Sequence, residues 1–350
     1  MQLATFERRE DSDGDESSPE ASASLADAAL GFDTLEFGRL GVRRLGALIP
    51  PGPHAGDVVD LNRALAVKLA FDDVGAPEAE ADSLLPAEMR AFLTRGRPGI
   101  EVAARAFTWA VGALARYDGP DLIRSGVVLP RRRVRLCAPI TRPTKIVAVA
   151  RNYAAHAAER GASPPKEPVL FLKSPSAVIG PGDDIELPRA SSEVDYEGEL
   201  AVVIGRSAHE VSVRDALDFV AGYTAANDVT ARDFQNVRGQ HFIGKSCDTF
   251  APLGPVLVTA DEIDDPQALE LRTVVSGEQR QHGNTGDMVF SVAELIAFTS
   301  RLMTLEPGDV LLTGTPSGVG AADDPPRWLR EGDVVDVEVD GIGQLRNYVR

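Results

Sequence analysis

From Lys145 to the end of the chain the sequence breaks into short apolar runs separated by Gly, Pro and Asp: "KIVAVA", "PVLFLK", "AVIGPGDDIEL", "ELAVVIG", "DVLLTG" and "DVVDVEVDGIGQLRNYVR". Runs of this length bounded by turn formers read as β-strands. One segment, "SVAELIAFTSRLM", has helical spacing, and Ser291 with Glu294 three residues later forms a capping-box signature at its start. A doubly wound sheet needs a helix after nearly every strand, and this pattern lacks that alternation. The expectation is an α+β protein whose C-terminal part is a mixed β-roll or β-sandwich with few helices.

The first part reads differently. "VVDLNRALAVKLAF", "LPAEMRAFLTR" and "GIEVAARAFTWAVGALARY" carry apolar residues at helical spacing, with Pro86 placed at a helix start. "MQLATF" and "EFGRLGVRRLGALIP" look like the two strands of a hairpin. Between them, about 8–30, lies a stretch rich in Asp, Glu, Ser and Ala and without aromatics, expected to be a disordered insertion because it cannot bury enough apolar surface. The expected division is a small N-terminal α+β domain over 1–137 and a catalytic domain over 138–350. The run Arg131–Arg133 reads as solvated linker, and no internal repeat is evident.

Composition excludes several classes of function. The net charge of −17 argues against a nucleic-acid backbone as partner. No apolar run approaches the ~20 residues of a membrane-spanning helix. The N-terminal residues do not read as a secretory signal. Cys137 and Cys247 have no metal-type spacing, which suits reduced thiols in a cytoplasm.

Residues 239–246, "GQHFIGKS", fit the P-loop template G-x-x-x-x-G-K-[ST], with Lys245 as its lysine. That loop requires a buried strand before it and a helix after it. Upstream lies the polar "NDVTARDFQNVR", and downstream Pro252 and Pro255 forbid a helix. No nucleotide site is expected.

In "EVDYEGELAVVIG", Glu197 and Glu199 are two apart on a strand and so share a face, with Asp195 a further candidate on that side. Carboxylates this close cannot all ionise cheaply unless a divalent cation or a shared proton relieves them, and from pattern alone a solvated edge strand remains open. Asp228, at the end of "FVAGYTAAND", supplies a third hard oxygen donor, suited to Mg²⁺, Mn²⁺ or Ca²⁺ rather than zinc. In "RNYAAHAAERGA", His156 and Glu159 are three apart on one helical face, the arrangement of a general base oriented by a carboxylate.

"KIVAVARNYAAHAAE", "PVLFLKSPSAVIGPGDDIELP", "VDYEGELAVVIG", "NDVTARDFQ", "GKSCDTFAPLGP" and "LEPGDVLLTGTPSGVG" together, in this order, resemble the fumarylacetoacetate hydrolase family over about 145–350. The N-terminal part is similar to the small accessory domain of many members. The resemblance implies a β-roll catalytic domain, a homodimer and one Mg²⁺ or Mn²⁺ per subunit held by Glu197, Glu199 and Asp228. It implies a lid dyad of His156 and Glu159, a catalytic Lys245, and contacts from Arg151, Tyr153, Arg232, Gln235 and Thr315 to a small 2-oxo acid. Hydrolysis of a C–C bond in an acylpyruvate or fumarylpyruvate is the leading expectation. The alternative on the same site is isomerisation of 2-hydroxyhepta-2,4-diene-1,7-dioate or decarboxylation of a 2-oxo dicarboxylate.

Overall fold

Strands dominate the second half, as its turn-bounded apolar runs require. The computed structural model describes residues 1–9, 42–116, 119–236 and 240–350, and the chain divides into two units, Met1–Cys137 and Ala138–Arg350. The acidic insertion expected at 8–30 falls, from residue 10 onward, outside the described residues.

In the first unit the strand Gln2–Arg8 pairs antiparallel with Arg44–Leu48, setting Leu3 opposite Ala47 and Phe6 opposite Arg44. Its other edge pairs with Val134–Cys137. The residues before the insertion are therefore an internal strand, with Leu3 and Phe6 fully buried. "VVDLNRALAVKLAF" divides into a strand, Val58–Asp60, and a helix, Leu61–Phe71, because the Asp60 side chain accepts the Arg63 N–H and caps the helix there. Pro86 does not start a helix: Glu88 caps Met89–Leu93 instead, accepting the N–H groups of Arg90 and Ala91. The long amphipathic segment forms Gly96–Arg116.

The second unit has a mixed sheet in the spatial order Ala251–Thr259, Val220–Asn227, Gly198–Ile204, Val310–Leu312, Ile146–Ala150, Val169–Lys173. Every residue of Gly198–Ile204 is buried, which accounts for its unbroken apolar run. A second sheet orders Glu278–Asn284, Glu270–Val275, Val334–Val339, Gly343–Val349 and Asp184–Ile185. The sheets approach so closely at Gly198 that a Cβ there would lie 2.1 Å from Thr273 Oγ1. The expected capping box forms at Ser291 and Glu294 on the helix Val292–Leu302. The fold is thus mixed α+β with large sheets and few helices in its second unit.

Candidate active site

The carboxylates meet because two strands begin and end together. Gly198–Ile204 and Val220–Asn227 pair antiparallel with Gly198 opposite Asn227 and Glu199 opposite Ala226. Just beyond that pairing the Glu197 carbonyl accepts the Asp228 N–H at 2.8 Å, and the Asn227 side-chain oxygen accepts the Glu197 N–H at 3.0 Å. These bonds bring the carboxylates of Glu197, Glu199 and Asp228 within 4.8 Å of one another, all buried. Asp195 does not join them. It accepts Arg232 Nε at 2.9 Å and the N–H groups of Gly320 and Ala321, and so anchors the arginine.

Basic side chains neutralise part of the cluster. Lys245 Nζ lies 2.7 Å from Glu197 Oε2 and 2.6 Å from Asp228 Oδ2, and Arg232 Nη1 lies 2.7 Å from Glu197 Oε1. Lys173, fully buried, reaches Asp228 Oδ1 at 2.5 Å from the other side. Burial alone would raise the Glu197 pKa, but Lys245 and Arg232 override it and hold the group well below the usual carboxylate range. Among the described residues Glu199 has no ion-pair partner, and its Oε2 accepts the Gly314 N–H at 2.7 Å. Burial, then Asp228 and Glu197, push its carboxyl well above the usual range. Beside it the Tyr153 hydroxyl is buried with no hydrogen-bond partner among the described residues, and burial, then Glu199, raises its pKa too. Three hard oxygen donors, one of them uncompensated, fit a divalent cation, which would restore the charge balance.

A cavity of about 430 Å³ opens beside the cluster. Of the residues singled out in the sequence, Arg151, His156, Glu197, Arg232, Gln235, Lys245 and Thr315 line it. Glu159, Tyr153, Glu199 and Asp228 stand behind that lining, with Tyr153 only 2% exposed. On the helix Ala154–Glu159, His156 Nδ1 lies 2.7 Å from Glu159 Oε1, and Glu159 Oε2 accepts the Gly318 N–H at 2.8 Å. A carboxylate only accepts, so Nδ1 carries a proton, and in the neutral imidazole the lone pair is on Nε2. The Thr315 hydroxyl donates to the Gly198 carbonyl and accepts from Gln281, which leaves it no proton for a ligand.

Of the "GQHFIGKS" segment, Gly239 lies outside the described residues. His241–Lys245 is a single helical turn that carries Lys245 to the carboxylates. A Cβ on Gly244 would lie 2.5 Å from the Ala231 carbonyl oxygen and 2.7 Å from the Gln235 nitrogen, so the glycine serves close backbone packing.

The match to known proteins follows the same residues. A family model described as fumarylacetoacetate (FAA) hydrolase, C-terminal, covers residues 145–350. The chain belongs to the fumarylacetoacetate hydrolase family. Human oxaloacetate tautomerase FAHD2A, mitochondrial, is 45% identical over 307 residues, covering 85% of this chain and 88% of that protein. Oxaloacetate tautomerase YisK of Bacillus subtilis is 50% identical over 220 residues, 62% of this chain and 73% of that one. Among solved structures, a fumarylacetoacetate hydrolase from Exiguobacterium antarcticum superimposes with a TM-score of 0.68 at 32% identity, covering 99% of both chains. A 5-carboxymethyl-2-hydroxymuconate delta-isomerase from Mycobacterium smegmatis gives 0.65 at 32% identity, covering 100% of this chain and 98% of that one. These relatives are enzymes, and the chain is an enzyme of this family.

Sequence reading missed two residues of the site. Lys173 sits in an apolar strand, "VLFLK", where its one signal is a lysine at the end of a run in a chain with five lysines. His241 was passed over inside the P-loop match; it lines the cavity and stacks on Phe171 with ring centroids 5.2 Å apart.

Proposed function

We propose that the protein is a divalent-metal-dependent tautomerase or isomerase of a small 2-oxo acid of the oxaloacetate type. The observation that carries this reading is the His156 imidazole, its orientation set by the hydrogen bond from Nδ1 to Glu159, lining the same cavity as Lys245 and Glu197. The oxaloacetate tautomerases among its relatives support it. The dyad that made C–C hydrolysis the leading expectation serves proton transfer at carbon equally well, and the named relatives favour the alternative of the two readings.

In this mechanism Glu197, Glu199 and Asp228 would hold Mg²⁺ or Mn²⁺, which when bound supplies Lewis-acid polarisation of the 2-oxo group. Lys245 commits two protons to Glu197 and Asp228, and its third is directed at the C2 oxygen as negative charge develops there. His156 Nε2 takes a proton from C3 and returns it in the reverse direction, while Glu159, held by Gly318, stabilises the imidazolium. Arg232 and Asp195 keep Glu197 in place. In the keto-to-enol direction the C3 proton passes to His156 Nε2 and on to water, and one proton from water arrives on the C2 oxygen, so the substrate gains and loses one proton and His156 returns to its starting state.

The test is enol-oxaloacetate absorbance with Mg²⁺ or Mn²⁺, alongside acylpyruvates and a hydroxy-heptadienedioate. Tautomerisation well above background is expected, with His156→Ala lowering it about 10²–10⁴-fold. Acylpyruvate cleavage without tautomerisation would return the hydrolase reading. The same proposal takes the enzyme to be a homodimer in solution, its first unit an accessory domain, and MgATP to leave its melting temperature unmoved. Its two cysteines, both free thiols, support a reducing compartment such as a cytoplasm.

A further inference from the structure

Arg151 and His241 line the cavity, yet the proton transfer uses neither. Arg151 follows the strand Ile146–Ala150 with φ of 57°, a left-handed backbone that a non-glycine residue keeps only where its surroundings impose it. Its guanidinium offers five donors, and among the described residues it has no hydrogen-bond or ion-pair partner.

A series of hydrogen bonds with forced roles fixes the state of His241. Arg232 has donors only, so the Gln235 atom 3.2 Å from its Nη1 is the amide oxygen. The amide nitrogen therefore faces His241 Nδ1, at 3.0 Å, and donates to it. Nδ1 is the acceptor and the ring proton sits on Nε2. Burial, then Lys245, holds the imidazole below its ordinary pKa against Glu197 and Asp228, and Arg151 is near enough to lower it further. With one face stacked on Phe171, the ring is a neutral N–H donor of fixed orientation.

The charge around the cavity points the same way. In a chain of net charge −17, Arg151, Arg160, Arg232 and Lys245 line it against one carboxylate, Glu197. Arg232 and Lys245 are tied to the acidic cluster, and Arg160 gives Nη1 to the Ala321 carbonyl. The cation left unengaged is Arg151, with His241 beside it.

We propose that Arg151 and His241 form a distal carboxylate subsite that selects 2-oxo dicarboxylates over 2-oxo monocarboxylates, with His241 the specificity-determining residue. The inference rests on the reading that a 2-oxo acid occupies this cavity and adds where its second anion goes. Arg151 supplies the charge, while the neutral N–H of His241 fixes the position of the carboxylate.

The test is calorimetric titration of Mn²⁺-loaded protein with malate and 2-hydroxybutanoate, stable reduced analogues that differ only in a distal carboxylate against a methyl. The wild-type protein is expected to prefer malate by about tenfold or more, the value of a hydrogen bond to a charged group. His241→Phe, which keeps the stacking on Phe171, should reduce that ratio about tenfold, and Arg151→Gln should bring it near one. A wild-type ratio near one overturns the subsite. Equal weakening of both ligands by His241→Phe overturns the role of His241. Oxaloacetate turnover by the wild-type enzyme is read separately: a malate preference without turnover refutes the tautomerase reading and leaves the subsite standing.

Discussion

Replacing Lys173 with Met tests how the site tolerates its own charges. Lys173 is 1% exposed, its Nζ lies 2.5 Å from Asp228 Oδ1 and 3.2 Å from the Val229 carbonyl, and burial lowers its pKa against the pull of Asp228. Methionine matches the stem and removes the charge. Glu197, Glu199 and Asp228 are then left with Lys245 and with an Arg232 already shared with Asp195. Breaking a buried pair from one side costs about 3–5 kcal/mol; here Asp228 keeps Lys245 at Oδ2 but loses its partner at Oδ1. For a unit of this size that corresponds to a fall in melting temperature of about 6–20 °C. A divalent cation opposes the same excess negative charge, so Mg²⁺ or Mn²⁺ should raise the melting temperature of Lys173→Met by more than that of the parent. Thermal melts followed by circular dichroism, with and without metal, read both effects. A variant melting within about 2 °C of the parent, with no larger metal response, would refute the reasoning.

Glu199→Gln keeps the shape and the acceptor for Gly314 while removing the one carboxyl without a cation. Its metal-free melting temperature should stay within about 2 °C of the parent, while Mn²⁺ affinity by calorimetry falls more than about 100-fold, beyond the loss typical of an outer partner. Gly318→Ala places a Cβ 2.1 Å from the Arg280 carbonyl oxygen at φ of +106°, and its N–H holds Glu159. Strain of about 1–3 kcal/mol should lower the melting temperature by about 2–12 °C, and tautomerisation should fall while Mn²⁺ affinity is retained.

The sequence made the acidic face of the site visible because period-2 geometry brings Glu197 and Glu199 together and the end of a run marks Asp228. His156 and Glu159 were visible through their helical spacing. Asp195 fits the same two-residue spacing but lies on a separate short strand, Val194–Asp195, and does not share the role, since its partners, Arg232 and the Gly320 turn, come from distant segments. Lys173 could not be separated from an ordinary strand end without knowing that Asp228 packs behind it. His241 depends on a relay through Gln235 that no spacing announces. The strands Glu270–Val275 and Glu278–Asn284 escaped notice because one is half-buried and the other largely polar, so neither reads as an apolar run.

The Lys245 contacts carry a consequence for the order in which the site fills. With no divalent cation present, Glu197 and Asp228 share the Lys245 ammonium and are further offset by Arg232 and Lys173, so the fold does not wait on metal to become tolerable. That ammonium can offer a substrate oxygen only part of its charge while both carboxylates hold it. Whatever draws those carboxylates away returns the charge to Lys245. On the proposed function, the cation would bind first and the 2-oxo acid second, and each would tighten the hold on the other by the same factor.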